Sequence, residues 1–158
     1  MVCLHHNGFF VIFAKKSEKM KYLIIGLGNF GRTLAEELTD KGHEVIGVDT
    51  VEQRVDLLKD RISVTYIMDA TDPVGLRSLP LNQIDQAIVA IGKGMDYSLR
   101  VVAALKEQRV LNIAARAIDE VHMSILRAMG INQIFIPETY AARTIASHID
   151  SNTPGDLI

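Results

Sequence analysis

Three glycines and one carboxylate have the residue types and the spacing that could bind a phosphorylated nucleotide. Gly26, Gly28 and Gly31 follow the pattern G-x-G-x-x-G, and Asp49 comes about 20 residues later. Glycines at this spacing allow a tight turn, let backbone amides approach a pyrophosphate, and let a helix pack closely on a strand. A carboxylate at the later position accepts hydrogen bonds from ribose hydroxyls. The pattern therefore predicts a site for a dinucleotide or a related nucleotide.

Two strands and one helix must position these residues. The short apolar run Tyr22–Ile25 predicts a buried strand directly before the glycines, and a helical pattern of apolar residues follows from Phe30. Glu44–Val48 predicts a second strand, which ends at the acid. The free amides and the positive dipole end of the helix that starts near Asn29 would then face the phosphates. These features follow one another in the order expected of a nucleotide-binding unit: strand, glycines, helix, strand and acid. This order favours nucleotide binding over the alternative that the glycines only tighten a turn.

Composition excludes several classes of function. The chain has 158 residues, enough for one domain with a proper core, and its 48% hydrophobic content suits strands covered on both faces. The net charge of −2 gives no electrostatic basis for binding nucleic acid or an anionic membrane. No apolar stretch approaches the roughly 18 residues that a membrane helix needs, so we expect no direct membrane insertion. The single cysteine, Cys3, excludes an intrachain disulfide framework and fits a reducing compartment.

The alternation of strands and helices predicts one domain over residues 21–150. Four further apolar runs predict the remaining strands: Ser63–Met68, Gln86–Ile91, Asn112–Ala115 and Gln133–Ile136. Parallel strands joined by right-handed crossovers predict an α/β, Rossmann-like, doubly wound fold, with a six-stranded sheet in the order 3-2-1-4-5-6 and helices on both faces. Residues 1–20 would form an N-terminal extension, either mobile or an extra strand, and residues 151–158 a linker or tail.

Smaller signals predict details of two helices. Thr50 with Gln53 fits a capping box at the start of the second helix, where a hydroxyl accepts from one free amide and a side-chain amide reaches back. In the helix after the fourth strand, Leu99, Val102 and Ala103 stand at i, i+3 and i+4, which puts them on one face of the helix.

Further candidate ligand residues lie at the carboxyl ends of the strands, the edge at which open parallel sheets bind ligands. Arg54, one turn into the second helix, could reach a ribose or an adenine, or be an ordinary solvated residue. Asp69 could contact the ligand or simply cap its turn. Small residues at Ala90 and Gly92 would let a cofactor pass closely. Arg116 could pair with a phosphate or form a surface ion pair.

The ordered motifs resemble the RCK domain, also called KTN or TrkA-N. The matching segments, between about Lys21 and Ile149, are GLGNFGRTLAEEL, VIGVD, DAT, AIVAIG, NIAARA and IFIPE. The resemblance implies a cytoplasmic regulatory domain of a potassium channel or of a Trk or Ktr potassium uptake system, peripheral to the inner membrane through a membrane-embedded partner. Such domains form homodimers and often larger rings, and nucleotide binding in the Rossmann crevice gates ion flux.

The resemblance also implies a ligand and a set of site residues. NAD(H) is the favoured ligand, and AMP, ADP and ATP are alternatives. The glycine loop would take the phosphates, Asp49 the ribose, and the residues after the third strand the adenine. The candidate cofactor-binding residues are Gly26, Leu27, Gly28, Asn29, Phe30, Gly31, Asp49, Thr50, Arg54, Asp69, Ala70, Thr71, Ala90, Ile91, Gly92 and Arg116. Glu138 matches an acid that in some members coordinates a divalent cation near the dimer interface, or else it complements the dipole of its helix.

Two features depart from the family pattern. Asn29 stands where Ktr-type members commonly carry an arginine that helps to bind a terminal phosphate, so we expect NAD(H) or a shorter adenine nucleotide rather than ATP. Full-length members usually continue into a small C-terminal lobe, whereas this chain ends just past a linker. We therefore expect a truncated chain or a lone N-terminal domain.

The alternative functions are an NAD-dependent oxidoreductase and a stand-alone NAD(H) sensor. A hydride-transfer enzyme needs a proton donor beside the nicotinamide, yet none of the four tyrosines is followed by lysine four residues later. The serine nucleophile elbow G-x-S-x-G is also absent from the sequence. We therefore expect a binding domain rather than an enzyme.

The last predicted helix carries apolar residues that are relevant to whether the chain forms a dimer. Its apolar residues are Tyr140, Ala141, Ile145 and Ile149. They predict either a dimer interface or an ordinary core contact.

Overall fold

We analysed the protein through a computed structural model, which describes residues 18–150. The predicted tail and all but the last three residues of the predicted N-terminal extension lie outside this range. Within it, no helix combines the length and the hydropathy that crossing a membrane requires.

Strands and helices alternate along the chain. The strands are β1 (Lys21–Ile25), β2 (Glu44–Asp49), β3 (Val64–Ile67), β4 (Gln86–Val89), β5 (Ile113–Arg116) and β6 (Gln133–Phe135). The α-helices are α1 (Asn29–Asp40), α2 (Glu52–Asp56), α3 (Pro73–Ser78), α4 (Met95–Glu107), α5 (Glu120–Ala128) and α6 (Pro137–Asp150), and a short 3₁₀ turn lies at Leu81–Gln83.

The six strands form one parallel sheet in the order β3-β2-β1-β4-β5-β6, which confirms the predicted fold class. Ile25 at the end of β1 pairs with Val48 in β2 and Val89 in β4, so these three strands end at the same edge. The strand order reverses between β1 and β4, and at that switch point the helices diverge and leave a crevice.

Helices cover both faces of the sheet because each central strand buries residues on both sides. In β1, Leu23 and Ile25 face one hydrophobic cluster while Ile24 faces the other, as the period of two in a strand requires. The first cluster includes Leu105 of α4, and the second includes Ala35 of α1. A sheet buried on both faces explains why the strands read as continuous apolar runs.

The predicted capping box at the second helix is wrong. Helix α2 begins one residue later than the box requires, with Val51 at the N-cap and no side-chain cap. The reason is the preceding acid: Asp49 Oδ1 accepts a hydrogen bond from the Val51 amide at 2.8 Å, and this contact shapes the turn in place of Thr50. The acid therefore has a local structural role before any ligand is considered.

The face of α4 that carries Leu99, Val102 and Ala103 is only partly buried. Val102 is buried and Leu99 packs against the core, whereas Ala103 is exposed. The face that packs on the sheet runs through Ser98, Val101 and Leu105, at i, i+3 and i+7. Tyr97, the residue before Ser98 in the first turn, then lies at the carboxyl edge of the sheet and lines the crevice.

Candidate functional site

A cavity of about 740 Å³ lies in the crevice at the carboxyl edge of the sheet. It is bordered by the β1–α1 loop, the ends of β2 and β3, the loop after β4, the end of β5 and the first turn of α6. The sequence-predicted residues that line it are Gly26, Gly28, Asn29, Phe30, Asp49, Thr50, Arg54, Ala90, Ile91, Gly92, Arg116 and Glu138. The topology thus brings together residues that are spread over more than 110 positions of the chain, Gly26 to Glu138.

The three glycines of the β1–α1 loop differ in what a side chain at each position would disturb. Gly26 has φ = 97°, which L side chains rarely adopt, and its amide donates to the Val48 carbonyl at 2.8 Å. A Cβ on Gly31 would lie 1.9 Å from the Gly26 carbonyl oxygen, so α1 can pack this closely only on glycine. A Cβ on Gly28 would meet nothing within 4 Å, and Gly28 lines the cavity. Its backbone is therefore open to a ligand.

Asp49 ties this loop to β2. The residue is 6% exposed, and its Oδ2 accepts a hydrogen bond from the Leu27 amide at 2.7 Å. Together with the Val51 amide on Oδ1, this leaves part of the carboxylate's acceptor capacity for a ligand, since two carboxylate oxygens offer about four lone pairs. Arg54 Nη1 approaches Oδ2 at 3.4 Å from the half-exposed side. A diol placed here can donate to the carboxylate.

Arg116 supplies the positive charge at the other end of the cavity. Its guanidinium pairs with the Glu138 carboxylate and lies 5.8 Å from the centre of the Phe30 ring. The group also lies directly over Gly92, where a Cβ would come within 2.5 Å of Nη1. Its buried Nε has no hydrogen-bond partner among the described residues. Arg116 lines the cavity, so an oxyanion there could pair with the guanidinium charge.

Glu138 forms an ion pair at the edge of the cavity. Residues 18–150 contain no group of three or more His, Cys, Asp or Glu placed to hold a metal ion. The Glu138 carboxylate instead pairs with Arg116 at the start of α6. The divalent-cation role that the resemblance implies for Glu138 near a dimer interface stays a prediction.

The residues after β3, which are predicted to line an adenine, lie behind the cavity wall. Asp69, Ala70 and Thr71 are not part of the cavity wall, and Ala70 is completely buried. Asp69 Oδ1 accepts from the Thr71 amide and hydroxyl, both at 2.8 Å. These bonds, the backbone one first, hold the pKa of Asp69 below its ordinary value. Leu27 and Gly31 also lie outside the cavity wall.

Met68 and Tyr97 form the wall at this end, and sequence reasoning did not identify them as site residues. The Tyr97 hydroxyl donates to Asp69 Oδ1 at 3.0 Å. Burial, then the neighbouring Asp69, raises the pKa of Tyr97 to about 12, so the phenol stays protonated near neutral pH. One signal was available in the sequence: Tyr97 lies in the first turn of the helix that follows Gly92 and Gly94, next to the expected crevice.

The amino-acid sequence is similar to those of known proteins. Residues 22–137 match the model of the TrkA-N domain. The chain is 34% identical over 140 residues to the Ktr system potassium uptake protein C of Bacillus subtilis, covering 89% of this chain and 63% of that relative. Over the curated relatives that it matches most strongly, the chain spans between about half and two thirds of their length.

Solved structures share the fold. The NAD(P)-binding domain of an exopolyphosphatase-related protein from Archaeoglobus fulgidus superposes with a TM-score of 0.74 at 23% identity, covering 84% of this chain and 99% of that one. The Kef CTD of Shewanella denitrificans in its AMP-bound form superposes with a TM-score of 0.68 at 22% identity, covering 84% of this chain and 82% of that one.

Proposed function

The chain belongs to the TrkA-N domain family, and from that premise we propose that it is a nucleotide-sensing regulatory domain of a potassium channel or transporter. The observation that carries the proposal is the cavity in which the open Gly28 backbone lies between an acceptor, Asp49, and a cation, Arg116. Neutral loop amides suit a diphosphate, the carboxylate suits a ribose, and the guanidinium suits a further phosphate or another anionic group.

The proposed ligand is NAD(H), with AMP, ADP and ATP as alternatives. Asn29 at the start of α1 lines the cavity and adds no positive charge beside the glycine loop. A ligand with a terminal triphosphate carries more charge than this loop neutralises, which favours a dinucleotide or a shorter adenine nucleotide. A relative of the same fold is described as an NAD(P)-binding domain and another as AMP-bound, and this supports the class of ligand.

The proposed output is a change in the geometry of a homodimer or a larger ring that gates ion flux in a membrane-embedded partner. Helix α6 supports this idea because none of its residues is buried, although Ile145 and Ile149 are apolar and are 44% and 68% exposed. The ion pair from Arg116 to Glu138 joins the cavity to the first turn of this helix. Ligand binding beside Arg116 would therefore act on the element that we propose as the dimer contact. The domain would work at the cytoplasmic face of the inner membrane, without catalysing a reaction.

Calorimetric titration with NAD⁺, NADH, AMP, ADP and ATP tests the proposal. We expect saturable binding of at least one of these ligands, with NADH unchanged after incubation with small carbonyl compounds. Light scattering on the same samples should show a dimer. If none of the five ligands binds, the nucleotide-sensing function is wrong, and if NADH is oxidised, the chain is an oxidoreductase instead.

A further inference from the structure

Tyr97 joins the two halves of the fold across the crevice. Its ring projects from the first turn of α4, after β4, and its hydroxyl reaches Asp69 at the end of β3, 28 residues earlier in the chain. Two strands, β2 and β1, lie between β3 and β4 in the sheet. The side chain therefore extends along the carboxyl edge and forms one end wall of the cavity.

The hydrogen bond to Asp69 fixes the orientation of this ring. Asp69 Oδ1 also accepts hydrogen bonds from the amide and the hydroxyl of Thr71, and these bonds orient the carboxylate toward Tyr97. The phenol remains the donor, because Asp69 stays ionised and Tyr97 stays protonated near neutral pH. A ring held at its hydroxyl by Asp69 and at its base by α4 has little freedom to rotate away.

The two ends of the cavity differ in chemistry. At the β3 end the wall includes Tyr97, Met68 and Val48. Asp69 is hydrogen-bonded to the Tyr97 hydroxyl behind this wall, and the nearby Asp49 is paired with Arg54. At the β5 end it consists of Arg116 and the charged first turn of α6. Anionic groups prefer the cationic end, whereas a planar nucleobase prefers an aromatic ring and a polarisable thioether. The nucleobase would therefore lie at the β3 end.

We propose that Tyr97 is a nucleobase-binding residue of this crevice, and that Asp69 is a positioning residue that acts through it. This inference rests on the proposed nucleotide binding and adds the element that recognises the base. It replaces the expectation that Asp69 and its neighbours contact the adenine themselves. The phenol ring makes the contact, and the carboxylate holds the ring in place.

Tyrosine fluorescence and AMP affinity test the inference. The chain contains four tyrosines and no tryptophan, so a base stacked on Tyr97 should quench tyrosine emission directly. We expect Tyr97→Ala to bind AMP about tenfold more weakly than the wild type, the scale of an aromatic contact with a base. In Tyr97→Phe, which keeps the ring, AMP should still bind, but the AMP-dependent quenching of tyrosine emission should disappear. Tyr140→Phe is the matched control, because Tyr140 is exposed on α6, and it should retain the quenching.

A double-mutant cycle tests the positioning role of Asp69. Asp69→Ala should weaken AMP binding in the wild-type background and should have little effect in the Tyr97→Phe background, where the hydrogen bond is already lost. An equal loss in both backgrounds would mean that Asp69 acts on the base without Tyr97. Wild-type affinity for AMP in Tyr97→Ala would overturn this inference and leave the proposed function standing. If the wild type binds neither AMP nor NAD⁺, both are overturned.

Discussion

Asp49 accepts a hydrogen bond from the Leu27 amide at 2.7 Å, which links the end of β2 to the glycine loop after β1. The acid predicted to bind the ribose is therefore also the residue that holds the glycine loop in place. A single buried carboxylate thus couples the two halves of the proposed nucleoside diphosphate site. Substitutions at this position should affect both stability and ligand affinity.

Replacing Asp49 with alanine should weaken NAD(H) binding by about 1–3 kcal/mol, the scale of a hydrogen bond to a charged group. The same change should lower the melting temperature, because the Leu27 and Val51 amides lose their acceptor. Calorimetry and thermal unfolding measure the two effects. Glu52→Ala is the matched control, since it removes a nearby exposed charge that does not line the cavity. Unchanged NAD(H) affinity in Asp49→Ala would contradict the ribose assignment.

Replacing Asn29 with arginine should raise the affinity for ATP relative to AMP by roughly tenfold, because a cation beside the loop can pair with a terminal phosphate. Competition binding of the two nucleotides to each variant measures this ratio. Asn29→Gln lengthens the side chain without adding charge and should leave the ratio unchanged. If the ratio of ATP affinity to AMP affinity is the same in Asn29→Arg and the wild type, Asn29 does not determine which nucleotide binds.

Replacing Ile145 with aspartate should convert a dimer into a monomer without unfolding the chain. Ala141, Ile145 and Ile149 lie at i, i+4 and i+8 on one exposed stripe of α6, and none is needed for the core. Ser147→Asp adds the same charge to the opposite side of the helix and should leave the dimer intact. Light scattering at matched concentrations distinguishes the two variants. A wild-type chain that is monomeric at high concentration would contradict the dimer proposal.

His122 should make stability depend on pH. It is fully buried, its Nδ1 accepts from the Ile118 amide at 3.3 Å, and its Nε2 has no partner among residues 18–150. Burial lowers its pKa below the ordinary 6.5, although the charge of Asp119 opposes this. The folded state therefore takes up a proton at lower pH than the unfolded state does. Hence the free energy of unfolding should be largest above pH 6.5 and should fall as the pH drops below that value.

Urea unfolding between about pH 7 and about pH 5 measures this effect, over the range in which an ordinary histidine titrates. His122→Gln offers an acceptor to the Ile118 amide without a titrating ring, and its stability should change less over the same range. Parallel pH profiles for the wild type and His122→Gln would show that His122 is not responsible.

The β1–α1–β2 unit was predictable because each of its features has a local cause. Three features can be recognised without knowledge of the rest of the chain: an apolar run that is buried on both faces, glycines that close packing requires, and an acid at the end of a strand. The ends of other strands were less predictable. Ala90 and Ile91 continue the apolar run of β4 but lie beyond its last paired residue, where they are buried beside the cavity. Hydrophobicity reports burial and not strand pairing.

The contribution of Tyr97 could not be predicted in the same way. Which residue of a helix's first turn reaches another strand depends on how the helix is rotated against the sheet. The shared face of Leu99, Val102 and Ala103 does not reveal this rotation, because Val102 is buried and Ala103 is exposed. Likewise, the turn that directs Asp69 toward Thr71 and Tyr97 depends on contacts between residues up to 28 positions apart.

Gly28 is a position at which a substitution should weaken ligand binding without destabilising the fold. Its φ of −66° is compatible with alanine, and a Cβ there would meet no atom of the folded chain within 4 Å. Gly31 is different, because a Cβ there would lie 1.9 Å from the Gly26 carbonyl oxygen. Gly31→Ala should therefore disrupt the fold, whereas Gly28→Ala should disturb only a ligand that approaches the loop.

Calorimetric titration of NAD⁺ into the wild type and Gly28→Ala tests most directly whether a diphosphate binds against the backbone of this loop. We expect equal melting temperatures without ligand and at least about tenfold weaker NAD⁺ binding in Gly28→Ala, which corresponds to about 1.4 kcal/mol. Equal NAD⁺ affinity in the two proteins would contradict this proposal, because no phosphate could then be in contact with Gly28.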